Sequence, residues 1–226
     1  MTRTAYIADI HADLDALVRV VRELDSRGVD EVVALGDYVG NGGHDPAGVI
    51  DLVRARCSLT LCGCNDAALL RGDPSFNPVA QSGIEESRRA LDVDSDLTGR
   101  NIDRLKFLAG LQPKAIREGI LLVHASPVDP LHDYLLRHDV ELRPAHVAAV
   151  FGVIEALAIG GHTHVPGAFV ENVGFVRPED VNGRLRFQNR KVFVQVGSVG
   201  SPRDGTGKSC MAIVDNDGVE WVRVGG

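Results

Sequence analysis

Five times along the chain a short apolar run ends in residues that carry chemistry: "TAYIADIH" (4–11), "DEVVALGD" (30–37), "CSLTLCGCND" (57–66), "GILLVHASP" (119–127) and "ALAIGGHTH" (156–164). Between the first two, Leu14, Leu17, Val18, Val21 and Leu24 recur at steps of three and four, marking one face of an amphipathic helix that stops at Gly28. A second helix is expected from about Pro46 to Arg56. Strand and helix therefore alternate over the first 70 residues, the pattern of a parallel sheet whose strands end on one edge. Polar residues at those ends are site candidates, because open α/β sheets bind ligands beyond the carboxyl ends of their strands.

Residues 75–112 read as helical, with the acidic stretch "LDVDSDLTG" between two helices, and "RPAHVAAVFGVIEAL" reads as a helix with Pro144 in its first turn. From about Pro166 the pattern changes to alternation and hairpins in "GAFVEN", "RLRFQNRKVFVQVGS" and "KSCMAIVDNDGVEWVRV", with "DNDG" as a turn. With no internal repeat and no Pro-, Gly- or Ser-rich linker, residues 1–226 are expected to form a single α/β unit finished by antiparallel strands.

Charge narrows the possible partners. Against 31 acidic residues stand 24 basic ones, a net charge of -7, and no Lys/Arg cluster is placed to track a phosphate backbone, so nucleic acid is not expected as a partner. "MTRTAYIADIH" lacks the apolar core of a signal peptide, and no stretch approaches the ~20 apolar residues of a membrane span. A cytoplasmic protein is expected, with Cys57, Cys62, Cys64 and Cys210 reduced, as core residues or ligands.

The run ends supply Asp9 and His11; Asp37; Cys64 and Asn65; His124; and His162 and His164. Any single one is explained as a turn or cap residue. Five in succession, drawn mainly from carboxylate, imidazole and thiolate, would supply two borderline divalent ions with mixed O, N and S ligands. In "DIH" and "HTH" the outer residues are two apart, so in an extended segment their side chains leave the same face and can grip one ion or flank a pair. Asp37 in "GDYVG" lies in a glycine-flanked turn suited to presenting a bridging carboxylate.

In order and spacing, "DIH", "GDYVG", "GCND", "VHASP" and "GGHTH" resemble the motifs of the calcineurin-like metallophosphoesterases. "HASPVDPLHDYL" (124–135) and "VGSVGSPRDG" (196–205) resemble the bacterial branch related to diadenosine tetraphosphatases and serine/threonine phosphatases. The resemblance implies an α/β fold, a four-layer α/β/β/α sandwich, with a dinuclear centre. It places Asp9, His11 and His164 on one ion, His124, His162 and the third-motif residue on the other, and Asp37 between them. It also implies direct attack on phosphorus by a hydroxide shared between the ions, with no phosphoenzyme, and a phosphorylated small molecule or phosphopeptide as substrate. The runner-up is a protein-binding scaffold on the same fold, as in the retromer complex, where the metal site has degenerated; both halves of "DIH" and "GGHTH" are kept here, which favours an enzyme. A nuclease is disfavoured by the acid-rich composition.

The chain departs from the family at its third motif. Where relatives read Gly-Asn-His-Asp/Glu or Gly-Asn-Cys-Asp, it reads Gly63-Cys64-Asn65-Asp66. Consecutive Cα atoms are ~3.8 Å apart and neighbouring side chains diverge, so Cys64, at the position of the ligand asparagine, is the expected ligand. A thiolate is softer and more negative than an amide, so zinc, iron or manganese is expected over magnesium, with a metal–sulfur distance of ~2.3 Å for zinc and a less acidic bound water.

Asn65 occupies the position of the family's proton-donating histidine; it can donate a hydrogen bond to substrate but cannot give up a proton. Acidic leaving groups are therefore expected to be favoured, and His44, His132 and Asp13 are the replacement acids to consider. Ala12, Ala125 and Asp13 stand where relatives carry Gly, Gly and Asn, and are expected to narrow the pocket or repel phosphate. Arg203 in "SPRDG" is a candidate bidentate phosphate clamp. Cys62, Cys57 and Cys210 are expected to be core residues, and His132, His138 and His146 exposed or capping residues in helices. "GTGK" (205–208) lacks P-loop spacing and leads into a strand. The pocket walls are expected from residues 73–112 and 129–145.

Overall fold

The computed structural model describes residues 3–41, 43–73 and 75–225, so the ends of the expected 1–226 unit, residues 1, 2 and 226, lie outside the described residues. In chain order the elements are β1 (Thr4–Ile7), α1 (Leu14–Arg27), β2 (Glu31–Ala34), α2 (Pro46–Arg56), β3 (Leu59–Thr60), α3 (Cys64–Arg71), α4 (Pro78–Ala90) and α5 (Asn101–Gly110). There follow β4 (Lys114–Arg117), β5 (Ile120–Val123), α6 (Asp139–Leu142), α7 (Pro144–Val153), β6 (Leu157–Gly160), β7 (Gly167–Val170), β8 (Gly174–Val176), a 3₁₀ turn (Pro178–Val181), β9 (Arg184–Arg186), β10 (Val192–Gln195), β11 (Ser209–Val214) and β12 (Gly218–Val224).

The strands form two six-stranded sheets, ordered β3-β2-β1-β11-β12-β9 and β4-β5-β6-β10-β7-β8. Strand alternation sorts their side chains between cores. In β1, Ala5 and Ile7 pack with Leu17, Val20 and Leu24 of α1, whereas Tyr6 and Ala8, on the opposite face, pack between the sheets with Ile159, Val194 and Trp221. Met211 and Ile213 of β11 divide from Ala212 and Val214 in the same way. Behind the second sheet, Phe169 and Phe193 meet Val150 and Phe151 of α7. The layers are thus helices, sheet, sheet, helix, the α/β/β/α sandwich expected from the sequence.

The local reasons are ordinary ones. Asp13 caps α1 by accepting from Ala16 N at 2.8 Å, and Gly28 ends it at φ 61°. The acidic stretch at 91–99 does separate two helices, α4 and α5. "DNDG" turns β11 into β12. One hairpin reading is corrected: "RLRF" and "VFVQ" do not pair, because β9 joins the first sheet beside β12 while β10 lies parallel to β6 in the second. Alternation marks both strands, but it carries no information about which sheet each one enters.

The run ends meet because β1, β2 and β3 are parallel, as are β5, β6 and β10. Their carboxyl ends point the same way, and the loops of the two sheets knit together there. His162 N donates to Asp9 Oδ2 at 2.9 Å, and Ser198 Oγ donates to Asp9 O at 2.7 Å.

Candidate metal centre

Asp9, His11, Asp37, His162 and His164 all lie in the left-handed region, with φ between 51° and 67°. Left-handed backbone costs a non-glycine residue about 1–3 kcal/mol, so its recurrence at five site candidates marks a centre whose side-chain directions override backbone preference. Two glycines bring the loops into contact. A Cβ on Gly36 would stand 2.4 Å from Gly63 N, and one on Gly63 would stand 2.2 Å from Asp37 N and Oδ1.

The candidates converge in two groups. Asp37, Cys64, His124 and His162 form one and Asp9, His11 and His164 the other, each with its ligand atoms within 4.8 Å of one another and every residue buried. Asp37 faces both: one oxygen is 3.5 Å from His124 Nε2 and the other 3.8 Å from His11 Nε2. Cys64 Sγ lies 3.5 Å from Asp37 Oδ2 and 3.6 Å from His162 Nδ1.

The surroundings fix how these groups present themselves. Nδ1 of His11, His124 and His164 donates to the carbonyls of Val39 (3.3 Å), Leu35 (2.9 Å) and Ser201 (2.6 Å), which holds the neutral ring with its Nε2 lone pair toward the site. Burial lowers the affinity of His11, His162 and His164 for a second proton, to about 3 for His162 and about 2 for His164. Burial and the Asp37 charge push Asp9 well above the usual carboxylate range. Burial acts on Asp37 in the same direction, but His124, His11 and His162 together with the Asn65 amide hold it below.

This donor set fits metal ions. Nε2 of His11 and His164 stand 3.1 Å apart, and with both Nδ1 atoms donating, two lone pairs face each other. Asp9 Oδ1 and His124 Nε2 are buried without a hydrogen-bond partner among the described residues. Burial and the Asp37 and Asp9 charges push the Cys64 thiol far above its ordinary value. A cation removes each of these difficulties at once and reverses the preference at sulfur.

Asn65 sits beside Asp37 rather than free in the cavity. Its backbone N donates to Asp37 Oδ1 at 2.8 Å and its Nδ2 to Oδ2 at 2.6 Å. Asp66, a residue whose role the sequence does not announce, is fully buried and accepts from Gly63 N, Asp37 N and Tyr38 N, each at 2.9 Å. It caps α3, which begins at Cys64, and ties that helix to the Asp37 loop. Burial and Asp37 raise its pKa to about 7 against the pull of those amides.

A cavity of about 370 Å³ opens over the two groups, and Arg203 lines it as expected. Tyr134 lines it as well, its ring 3.9 Å from that of His162, centroid to centroid; only its place in "HASPVDPLHDYL" marked it. Walls come from Asp73, Ser75, Phe76, Asn77 and Ala80 and from His132 and Tyr134, while among the described residues α5 contributes none. Of the replacement acids only His132 reaches the cavity, and it lies in a loop, not the expected helix. Asp13 is occupied as the α1 cap, and His44 is exposed and does not line the cavity. His138 precedes α6, and His146, in α7, reaches Asp133 at 3.0 Å. Ala12 and Ala125 are buried in the loops beside His11 and His124 and do not line the cavity. Cys62 and Cys210 are buried, Cys57 is half-buried, and none of them joins either ligand group.

A two-sheet sandwich whose strand ends gather buried carboxylate, imidazole and thiol groups defines a metal-binding α/β protein. The chain belongs to the calcineurin-like phosphoesterase superfamily, whose domain model matches residues 3–218. It is 30% identical to an uncharacterized protein of Methanocaldococcus jannaschii, over 97% of this chain and 86% of the other. Among solved structures it is similar to a metallophosphoesterase from Sphaerobacter thermophilus, with 30% identity and a TM-score of 0.81 over 99% of this chain and 88% of that one. A hypothetical protein from Pyrococcus horikoshii shares the fold at 18% identity, with a TM-score of 0.73 over 99% and 88% of the two chains.

Proposed function

We propose that this is a cytoplasmic, single-domain hydrolase of phosphate esters that works with two metal ions, zinc, iron or manganese in preference to magnesium. Asp9, His11 and His164 would hold one ion and His124, His162 and Cys64 the other, with Asp37 between them. The observation that carries this reading is the position of Asp37, within 3.8 Å of an imidazole nitrogen from each group. Two ions bound there supply Lewis acidity toward the phosphoryl oxygens and a nucleophile drawn from water.

The chain's own residues do the rest. The Val39, Leu35 and Ser201 carbonyls orient the three imidazoles, so little reorganisation accompanies binding. Arg203, anchored through its backbone N to His164 O at 3.1 Å, is placed to clamp a phosphoryl group with its planar fork. Asn65 holds Asp37 and supplies a hydrogen bond at the cavity wall. The substrate is a phosphorylated small molecule or the phosphoryl end of a phosphopeptide, without nucleic acid or membrane as a partner. Metal analysis of the purified protein together with p-nitrophenyl phosphate hydrolysis tests the reading. About two ions per chain and chelator-sensitive turnover are expected; a metal-free protein without turnover overturns it.

With Asn65 committed to Asp37 and unable to release a proton, the departing oxygen leaves without help from this position. Since a positioned acid contributes about 10²–10⁴-fold, aryl phosphates are expected to exceed matched alkyl phosphates in kcat/KM by about 10² or more. Equal rates for the two would show that another acid serves. For Cys64→Asn, exchange of thiolate for amide is expected to shift selectivity from zinc toward magnesium or manganese by about tenfold or more. Competition titrations with the three metals check this, and unchanged selectivity would remove Cys64 from the ligand set.

A further inference from the structure

A second cavity, of about 520 Å³, shares Arg203 with the one over the metal centre. Its size is in the range that holds small-molecule ligands. Four arginines line it, Arg137, Arg177, Arg203 and Arg223, against two carboxylates, Glu179 and Asp204. Both carboxylates are taken by Arg223, which pairs with Asp204 and, at 3.1 Å, with Glu179. Arg177 pairs at 2.6 Å with Asp180, which is not part of the lining. Among the described residues no carboxylate pairs with Arg137 or Arg203. In a chain of net charge -7, a cavity with surplus guanidinium next to the catalytic one is a local reversal of sign that attracts and holds anions. Leu136, Val165, Pro166 and Phe175 add apolar surface to the lining, beside His138, Thr163 and Gln195, and suit a carbon linker or ring.

From this juxtaposition we infer that the enzyme takes substrates carrying a second phosphoryl group, which lodges in the arginine-lined cavity while the scissile phosphate lies over the metal centre. The inference rests on the phosphoesterase reading of that centre. Arg203, on the wall common to both cavities, clamps the scissile group, and Arg137, without a carboxylate partner among the described residues, receives the distal one beside Arg177, whose Nε and Nη2 are held by Asp180. The subsite therefore selects by the presence and spacing of a second dianion, a property that a monophosphate cannot satisfy.

The test is calorimetric titration of the metal-loaded protein with ethylene glycol, butanediol and hexanediol bisphosphates, each against the monophosphate of the same carbon chain. At least one bisphosphate is expected to bind roughly tenfold or more tighter than its monophosphate, since a second bidentate guanidinium–phosphate contact is added. Arg137→Ala/Arg177→Ala is expected to abolish most of that ratio, with thermal melting confirming that the variant folds. Arg190→Ala, which removes a charge away from this cavity, is expected to keep it. Equal binding of mono- and bisphosphates overturns the inference, as does a ratio that survives in the double variant or falls equally in the Arg190 control. p-Nitrophenyl phosphate turnover on the same wild-type sample reports on the phosphoesterase reading separately, because that substrate has no second phosphoryl group.

Discussion

Asp37→Asn is expected to lower p-nitrophenyl phosphate turnover by about 10³-fold or more, equivalent to about 4 kcal/mol of transition-state stabilisation, and to reduce the metal bound per chain. The side chain is 1% exposed and, among the described residues, is the one carboxylate that faces imidazoles of both ligand groups. Its two oxygens also accept from Asn65 N and Nδ2, at 2.8 and 2.6 Å. Asparagine keeps the size but removes the charge that both ions would share. It also turns one acceptor into an NH₂ that must face either an Asn65 donor or an imidazole-bound cation. Steady-state kinetics and elemental analysis of the variant decide the matter. Turnover within tenfold of wild type with a full metal complement would mean that the two groups act independently and that Asp37 only spaces them.

The centre was legible in the sequence because strand physics does most of the placing. Parallel strands end together, so apolar runs that each finish in Asp, His or Cys must bring those groups to one edge, as β1, β2, β5 and β6 do. Cys64 rather than Asn65 lies beside His162, but the expected divergence of the two side chains is not what separates them: both reach Asp37 Oδ2, and Asn65 Nδ2 stands 3.5 Å from Cys64 Sγ. Three features were not legible. The entry of β9 into the first sheet depends on a long-range choice of partner that alternation does not encode. Tyr134 lies in an irregular segment, where no periodicity says that its ring will stack on His162. Asp66 read as the end of a motif; its amide partners come from two separate loops, and only the close approach of Gly36 to Gly63 reveals them.

That hidden residue carries the largest stability prediction. Asp66→Ala removes the acceptor of Gly63 N, Asp37 N and Tyr38 N at a fully buried position. Each buried donor left without a partner costs about 1–3 kcal/mol, and the bond from Gly63 N is also the one that closes the first turn of α3, so a total of about 4 kcal/mol is expected. For a chain of this size that corresponds to a fall of roughly 10 °C in melting temperature. Asp66→Asn keeps one good acceptor and is expected to fall by less. The comparison that gives the number meaning is Asp51→Ala. This variant breaks the pair with Arg104, but the Asp51 side chain is 42% exposed, and solvent screening limits that loss to about 1 kcal/mol or less. Thermal unfolding of the three variants ranks them. If Asp66→Ala melts no lower than Asp51→Ala, the loops that bear Asp37 and Cys64 are held by their own backbone contacts. The strain at Asp37, in the left-handed region at φ 57°, would then need another anchor.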